Sequence, residues 1–319
     1  MYNIPNDDYK SFRIDMFVRF YSKRKNQNDR DEDNLLHFCQ GNDNESKIWA
    51  SFLYSTCYSV TTSALLLRIF PSIKDATIDK LTEFWNTYKD RLIFQSDRRW
   101  VKQNDKFVSI VSSYKNKIGN CSQYEVIMSL INQSQTALYN WFTSIYYCGR
   151  FSALLFMESV YNFLGLDLTP EAYLDWNSCK TCAQSIFVIS YRDDLAYEIR
   201  KQGRNLTKSE IKELEYLLQQ IIIYTENKLG YKTNFARIVG YLCSYFKLYK
   251  QIRYLEYYTD RRLQELNTYK KVLPEFDYIW NQLFEIRYKN VPHEILGELN
   301  GWKGIRKEKY KEFVTYGTF

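Results

Sequence analysis

The sequence predicts a mainly α-helical, multi-helix globular bundle with at most a short β element. Apolar residues recur at helical spacing along most of the 319 residues, and only 5 Pro and 11 Gly interrupt them. Strand and helix patterns do not alternate, as they would around a parallel sheet. The length allows a single domain, 1–319, or an N-terminal helical part, 1–205, that carries the main motifs and a C-terminal helical part, 206–319, packed against it.

The first part of the chain shows helical patterns that end at Pro or Gly. Pro71, Gly119, Gly149 and Gly165 each follow a periodic run, and both residue types are common at helix ends. The predicted helices cover residues 7–25, 48–70, 75–91, 97–119, 124–148 and 152–164.

The second part contains a short strand-like run followed by further helices. The run is SIFVISYRDDL, residues 185–195. A capping-box pattern, Thr207 to Glu210, then opens a helix that Gly230 closes. The remaining predicted helices cover residues 234–258, 260–271 and 276–288.

The composition favours a protein without a membrane span and is consistent with a polyanionic partner. The aromatic fraction is 18% and the formal charge is +7, which suits base stacking and phosphate contact, although AT-rich coding explains much of the same bias. Residues 48–67 lack charge but hold seven Ser/Thr, so they predict a buried helix pair and no membrane helix. Seven Cys and a polar N-terminus predict reduced thiols in a cytoplasm-like compartment.

The standard catalytic motifs are missing from the sequence. It has no Walker loop, no GxGxxG and no GxSxG. Only two His occur, which argues against a His-based triad or a His-rich metal centre. A zinc site at the CKTC pair, Cys179 and Cys182, would need two more ligands, which His37 and Cys39 could supply. The alternative is that Cys179 and Cys182 are two ordinary thiols in a helical turn.

The segment RLIFQSDRRWVK, residues 91–102, combines cations with large apolar groups. On a helix, one face would carry Arg91, Gln95, Arg98 and Lys102, with Asp97 and Arg99 beside it. Such a face would bind phosphate or pyrophosphate, because several donors can share one polyanion. A solvated amphipathic helix is the alternative.

Three further segments carry candidate functional residues. Gly149, Arg150 and Ser152 would form an anion site at a helix N-terminus, with Ser152 as the cap, or an ordinary turn between helices. Arg192, Asp193 and Asp194 would hold a metal, accept a proton or bind an ammonium group, or form a capped surface turn. Tyr254, Tyr257, Tyr258 and Arg261 would form an aromatic and cationic helix face, or a Tyr-rich core seam.

In this order, the segments resemble the viral DNA base-hypermodification proteins called α-glutamyl/putrescinyl thymine pyrophosphorylases, or amino acid:DNA transferases. The resemblance is carried by WASFLYSTCYSVTTSALLLRIFP, RLIFQSDRRWVK, GRFSALLFMESVY, RDDL, RYLEYYTDRRLQEL and the closing LGELNGWKGIRKEKY. It implies a helical fold related to DNA glycosylases, although the chain lacks a clear helix-hairpin-helix glycine motif. It also implies a reaction in which pyrophosphate leaves 5-pyrophosphorylmethyl-uracil in DNA and an amine from an amino acid or polyamine takes its place.

The resemblance also implies roles for residues of this chain. The catalytic candidates are Asp193, Asp194 and Asp97. The phosphate- and DNA-binding candidates are Arg91, Gln95, Arg98, Arg99, Lys102, Gly149, Arg150, Ser152, Arg192 and Arg261. The base-stacking candidates are Trp100, Tyr257 and Tyr258. A divalent metal such as Mg²⁺ bridging pyrophosphate to Asp193 or Asp194 is left open.

Three other functions fit the same sequence. A non-catalytic helical DNA-binding module that partners a base-modifying kinase would bind DNA in a salt-sensitive way without forming a product. A glycosylase-like enzyme acting on modified bases would leave abasic sites. A structural protein with a Tyr-rich core would bind no DNA.

Overall fold

The computed structural model of the chain describes residues 6–27, 30–168, 176–177, 179–202, 204–250 and 257–290. Every regular element in these ranges is helical and none is a strand, which confirms the predicted fold class. The helices are α1 Asn6–Gln27, α2 Asp31–Phe38, α3 Asn44–Cys57, α4 Val60–Ile69, α5 Ile78–Tyr88, α6 Lys106–Ile118, α7 Gln123–Gln133, α8 Gln135–Thr143, α9 Arg150–Leu164, α10 Lys180–Ile189, α11 Asp193–Gln202, α12 Lys208–Leu229, α13 Phe235–Tyr249, α14 Tyr257–Val272 and α15 Asp277–Asn290. Two 3₁₀ segments, Ser96–Asp105 and Pro274–Phe276, lie between them.

The described helices fall into two compact units. Unit 1 contains α1 and α10 to α13, and unit 2 contains α2 to α9 and α15. Helix α14 is divided between them, because residues up to Asp260 belong to unit 1 and residues from Arg261 onward belong to unit 2.

Unit 1 is built around aromatic contacts between α1 and α13. Phe17 and Phe20 meet Tyr245 edge to face, with ring centroids 5.5 and 5.6 Å apart, and Tyr21 meets Tyr241 at 5.1 Å. Helix α12 begins at the predicted capping box and ends at Gly230, whose φ of 72° suits glycine. Both of these predicted helix ends are confirmed.

Unit 2 is built around α3 and α9, which pack against each other. The face of α3 contributes Trp49 and Phe52, and Phe52 stacks on Tyr114 of α6 with centroids 3.9 Å apart. The buried hydroxyls of Ser55 and Thr56 donate to the carbonyl of Phe52 in their own helix, so they need no water. The uncharged run is therefore a buried helix pair, as predicted, and no described helix is long and apolar enough to span a membrane.

Local side-chain caps divide two of the predicted long helices. The run 48–70 breaks at Tyr58, which has a φ of 50°, and Ser59 then caps α4 by accepting from the backbone N–H of Thr62. The run 124–148 breaks at Ser134, which caps α8 in the same way. The Gly119 and Gly165 helix ends are confirmed, with φ values of 65° and 67°.

The predicted strand at residues 185–195 is wrong. Ile186, Val188 and Ile189 lie in α10, a turn with Tyr191 at φ 60° follows, and α11 begins at Asp193. These side chains are buried on all sides by neighbouring helices, so their apolar run reflects burial within unit 1 rather than pairing in a sheet. Residues 251–256, including Tyr254, and the segment LGELNGWKGIRKEKY lie outside the described residues.

Candidate active site

The segment RLIFQSDRRWVK is not the predicted helix. Residues Leu92 to Gln95 have no helical structure, and the 3₁₀ segment that follows is interrupted at Gln103 and Asn104. The single face of Arg91, Gln95, Arg98 and Lys102 is therefore wrong. The physical reason lies at Ile93, whose backbone N–H and C=O are both occupied by side chains from elsewhere in unit 2.

These side chains are Thr62 of α4 and Tyr269 of α14. Ile93 donates its N–H to the Tyr269 hydroxyl at 2.7 Å, and its carbonyl accepts from Thr62 Oγ1 at 2.5 Å. Because the Thr62 proton is committed to Ile93, the 2.6 Å contact between the two hydroxyls requires Tyr269 to donate to Thr62. The ring of these three bonds holds Leu92 to Gln95 against the start of α4.

Beside this ring, α14 places the carboxylate of Glu265 in the interior of unit 2. Glu265 is 8% exposed. Its Oε1 accepts from the hydroxyl of Ser59 and, at 2.5 Å, from that of Thr61. Among the described residues, Gln95 Nε2 at 3.4 Å is the hydrogen-bond donor to Oε2. Two hydroxyls thus hold one carboxylate oxygen, and within the described part of the chain the other oxygen accepts only the long contact from the Gln95 amide.

The electrostatic surroundings of Glu265 favour its protonated form. Burial raises the pKa of Glu265 above its ordinary value of 4.5, and the nearby Asp31 carboxylate raises it further. The hydroxyls of Ser59 and Thr61 and the charge of Arg261 lower the pKa and partly oppose this effect. A carboxylate with a raised pKa is a stronger base than an exposed one.

Arg98 brings a cation to the interior of the same unit. It is 5% exposed, and its guanidinium lies over the ring of Phe151, 5.2 Å from the centroid. Burial raises the pKa of the Cys57 and Cys148 thiols, and the charge of Arg98 opposes that rise at both. Arg98 therefore lies within electrostatic reach of the end of α3 and the start of α9.

The other cations of the segment are placed apart from Glu265 by their own contacts. Arg91 binds Glu275 at 3.1 Å, and Lys102 donates to the carbonyls of Leu92 at 3.1 Å and Asp90 at 3.3 Å. Burial lowers the pKa of Lys102. Arg99 is exposed, and the side chain of Asp97 lies outside the described residues. Of the predicted binding residues, Arg98 is buried, and Gln95 and Arg261 are half-buried.

The start of α9 differs from the prediction in its cap. Gly149 is the N-cap, with an extended backbone and no side-chain cap, and Ser152 is buried within the first turn. Ser152 as the cap is therefore wrong, because the helix begins two residues earlier than predicted. Arg150 is exposed, and Phe151 packs edge to face on Tyr58 with centroids 5.3 Å apart.

Asp193 and Asp194 lie in unit 1, at the start of α11. Asp193 Oδ2 accepts from Arg13 at 2.5 Å, and Asp194 accepts from Arg192, which also binds Glu213. The Arg192 bond lowers the pKa of Asp194. Both carboxylates are exposed ion-pair partners within their unit. Their catalytic role stays a prediction.

The predicted base-stacking residues are also divided between the units. Tyr257 and Tyr258 belong to unit 1, where their rings meet edge to face at 5.4 Å and Lys247 donates to the Tyr258 hydroxyl at 3.3 Å. Trp100 belongs to unit 2 and lies 5.5 Å from the ring of Tyr147. Their roles stay predictions.

Metal-binding side chains do not gather in the described part of the chain, where no three His, Cys, Asp or Glu form a potential metal site. The seven cysteines are free thiols. A Mg²⁺ ion held by one carboxylate and a substrate pyrophosphate needs no such cluster, so this prediction is unaffected.

Reasoning from the sequence did not identify Ser59, Thr61, Glu265 or Tyr269 as candidate residues. Ser59, Thr61 and Glu265 lie inside segments that carry the family resemblance, and Tyr269 follows the last residue of one of them by three positions. None of the four stands out by type or spacing. The signal for them was the dense run of hydroxyls in YSTCYSVTTS, because a buried hydroxyl needs a partner and a carboxylate is a strong acceptor.

Ser59→Ala is expected to destabilise the protein in a pH-dependent way. It removes both the cap of α4 and a donor to Glu265. The folded pKa of Glu265 is raised, so the stability contributed by its neutral form is present in acid and is lost as pH rises through that pKa. Removing a donor raises this pKa further, and the loss from Ser59→Ala should therefore grow with pH, reaching about 2 kcal/mol at pH 7.

Ser134→Ala is the matched control, since Ser134 caps α8 and has no carboxylate partner among its described contacts. Denaturant unfolding at pH 4 and pH 7 should give a loss of about 1 kcal/mol for Ser134→Ala at both values. Equal, pH-independent losses for the two variants would contradict the assigned Ser59 contact.

Comparison with known proteins finds similarity to a phage protein. Over 299 residues the chain is 25% identical to the curated serinyltransferase of Salmonella phage ViI, and the match covers 86% of this chain and 71% of that protein. No protein-family model matches the chain. No solved structure matches it either. The similarity extends over most of the chain rather than over one motif.

Proposed function

We propose that the chain is a transferase that joins an amino acid to a modified pyrimidine base in phage DNA, with Glu265 and Arg98 at its active site. The observation that carries the proposal is the arrangement in unit 2, where residues from three separate resemblance segments meet at the buried Glu265 carboxylate. The similarity to a phage serinyltransferase supports the same class of reaction from an independent direction.

The proposed substrate is 5-pyrophosphorylmethyl-uracil in DNA. The nitrogen lone pair of the amino acid forms a C–N bond to the methylene carbon of the base. The C–O bond to pyrophosphate breaks, and its electron pair leaves on the pyrophosphate oxygen. The nitrogen loses one proton to the enzyme, so atoms and charges balance without an oxidant or reductant.

Glu265 is the proposed acceptor of that proton. Its raised pKa increases its basicity, and Oε1 is held by two hydroxyls while Oε2 faces only the Gln95 amide among the described contacts. The amine would approach Oε2. This role replaces Asp97, Asp193 and Asp194 as the leading choice, since Asp193 and Asp194 are exposed and paired with arginines.

Arg98 is the proposed cation for the leaving group. A guanidinium in a site shielded from water stabilises developing phosphate charge more strongly than one at the surface. Arg98 is buried, whereas Arg91, Arg99 and Lys102 are exposed or bound to carbonyl and carboxylate groups. Arg261, whose charge acts on Glu265, is the second candidate.

The proposal is tested by incubating the purified protein with DNA that carries 5-pyrophosphorylmethyl-uracil, with serine, other amino acids or polyamines supplied separately. The DNA is then digested and its nucleosides are weighed by mass spectrometry. We expect a nucleoside in which the donor has replaced pyrophosphate. Serine is the first donor to test because the relative is named a serinyltransferase.

Two results would overturn the proposal. Unchanged pyrophosphorylated nucleoside, from protein that binds the DNA, would favour the non-catalytic module. Abasic sites revealed by alkaline cleavage would favour a glycosylase-like enzyme.

A further inference from the structure

An exposed aromatic cluster lies in unit 2 at the turn between α8 and α9. Tyr146 and Tyr147 are 53% and 44% exposed, and their ring centroids are 4.0 Å apart. Trp100 lies 5.5 Å from Tyr147. The ring planes meet at 58° and 55°, so these rings are tilted and do not stack on one another. We call these three residues the aromatic platform.

Cationic side chains lie beside the aromatic platform. Lys106 Nζ lies 5.2 Å from the centroid of Tyr147 and 5.5 Å from that of Trp100. Arg99, adjacent to Trp100 in the chain, and Arg150, at the start of α9, are exposed. A purely apolar partner would bury Lys106 without a counter-charge, whereas an anionic strand would satisfy it.

Two hydrogen bonds anchor the turn that bears Tyr146 and Tyr147. Tyr146 N–H donates to Ser113 Oγ of α6 at 3.0 Å, and Cys148 N–H donates to the Ile145 carbonyl at 2.9 Å. Tyr147 has a φ of 58°, which places a bulky L-residue in the strained left-handed region. Strain of this kind in an exposed aromatic residue is not explained by core packing, and strained residues cluster at binding sites.

We infer that Trp100, Tyr146 and Tyr147, together with Lys106, form a platform on which unpaired bases of a DNA strand stack. Every base has an apolar face for the rings, and the strand supplies phosphates for the cations. Arg98 and Trp100 are separated by one residue, and Phe151, which contacts Arg98, follows Tyr147 by four residues. The inference rests on the proposed function, because it assigns the surface that would hold the DNA around the reacting base.

The test measures binding of a fluorescein-labelled single-stranded 20-mer, and of the same sequence as duplex, by fluorescence anisotropy. The DNA is unmodified and no donor is added, so the result does not depend on catalysis. We expect the single strand to bind more tightly than the duplex. A second strand with one 2-aminopurine should show quenched base emission on binding, as stacking on the rings requires.

Tyr147→Asn removes the ring while keeping a residue that tolerates positive φ, so the turn should fold as before. It is expected to weaken single-strand binding by about 10-fold, the effect of losing one stacked base. Tyr147→Phe keeps the ring and should bind as the wild type does. Tyr278→Asn is the matched control, because Tyr278 is 60% exposed on α15 of the same unit.

Wild-type affinity in Tyr147→Asn, equal losses in Tyr147→Asn and Tyr278→Asn, or no binding of the single strand by the wild type would each overturn the inference. The proposed function fails separately. If the protein binds single strands through Tyr147 but forms no amine-bearing nucleoside, the platform inference stands and the transferase proposal is wrong. If Tyr147→Asn forms the product with an unchanged KM for DNA, the transferase proposal stands and the platform inference is wrong.

Discussion

Glu265→Gln is expected to reduce amine transfer by at least about 100-fold, because it removes the proposed proton acceptor. The amide oxygen can still accept from Ser59 and Thr61, so the packing around the start of α4 is kept. Replacing a buried ionisable group with a neutral one also removes the desolvation cost of its charge. The melting temperature of this variant should therefore not fall.

Single-turnover rates on DNA carrying 5-pyrophosphorylmethyl-uracil test this result. Asp193→Asn and Asp194→Asn are the matched controls, since each removes one carboxylate from an exposed ion pair in unit 1. If either control loses turnover while Glu265→Gln keeps the wild-type rate, the proton acceptor is Asp193 or Asp194 of α11. This result would also show that the buried carboxylate is structural.

The pH dependence gives a second measure of Glu265. Its pKa lies above the ordinary 4.5 because of burial, so the rate should fall on acidification at a higher pH than for an exposed carboxylate. Thr61→Val removes a donor that lowers this pKa. The acid limb of the rate profile should then move to higher pH, whereas a Glu265 without a catalytic role would leave the limb in place.

Arg98→Met is expected to lower turnover by about 100- to 1,000-fold, the cost of removing one preorganised group that stabilises charge in a transition state. Methionine retains most of the buried volume over Phe151 but carries no charge. The interior around Cys57 and Cys148 should remain packed. Product inhibition by pyrophosphate should weaken in parallel, because the same guanidinium is proposed to bind it.

Arg99→Met provides the matched control, since Arg99 is the next residue and is exposed. It should retain turnover within a few-fold of wild type, and Arg98→Lys should recover part of the rate by restoring a positive charge. Circular dichroism and the melting temperature establish that each variant is folded. Wild-type turnover in folded Arg98→Met would remove Arg98 from the mechanism.

Local sequence patterns sufficed for several features of the chain. The Thr207–Glu210 capping box and the glycines at 119, 165 and 230 act within one turn of their own helix, so their outcome depends little on distant residues. The uncharged, hydroxyl-rich run at 48–67 predicted a buried helix pair for a similar reason. Its hydroxyls can bond to carbonyls of the same helix.

Other predictions failed where distant side chains compete with local propensity. RLIFQSDRRWVK has helical spacing, yet Thr62 and Tyr269 occupy both backbone groups of Ile93, and a helix cannot form through a residue whose N–H and C=O are bonded elsewhere. SIFVIS resembles a strand because it is apolar, yet its burial among helices of unit 1 gives the same apolar run.

The amino-acid sequence alone was enough to predict the helical class and several helix ends, because these depend on contacts between near neighbours. Which of the candidate residues meet depends on the tertiary fold. Ser59 and Glu265 are 206 positions apart, and Ile93 and Tyr269 are 176 apart. Periodicity carries no information over such separations. The packing of α4 and α14 brings these groups together, and burial there raises the pKa of the Glu265 carboxylate.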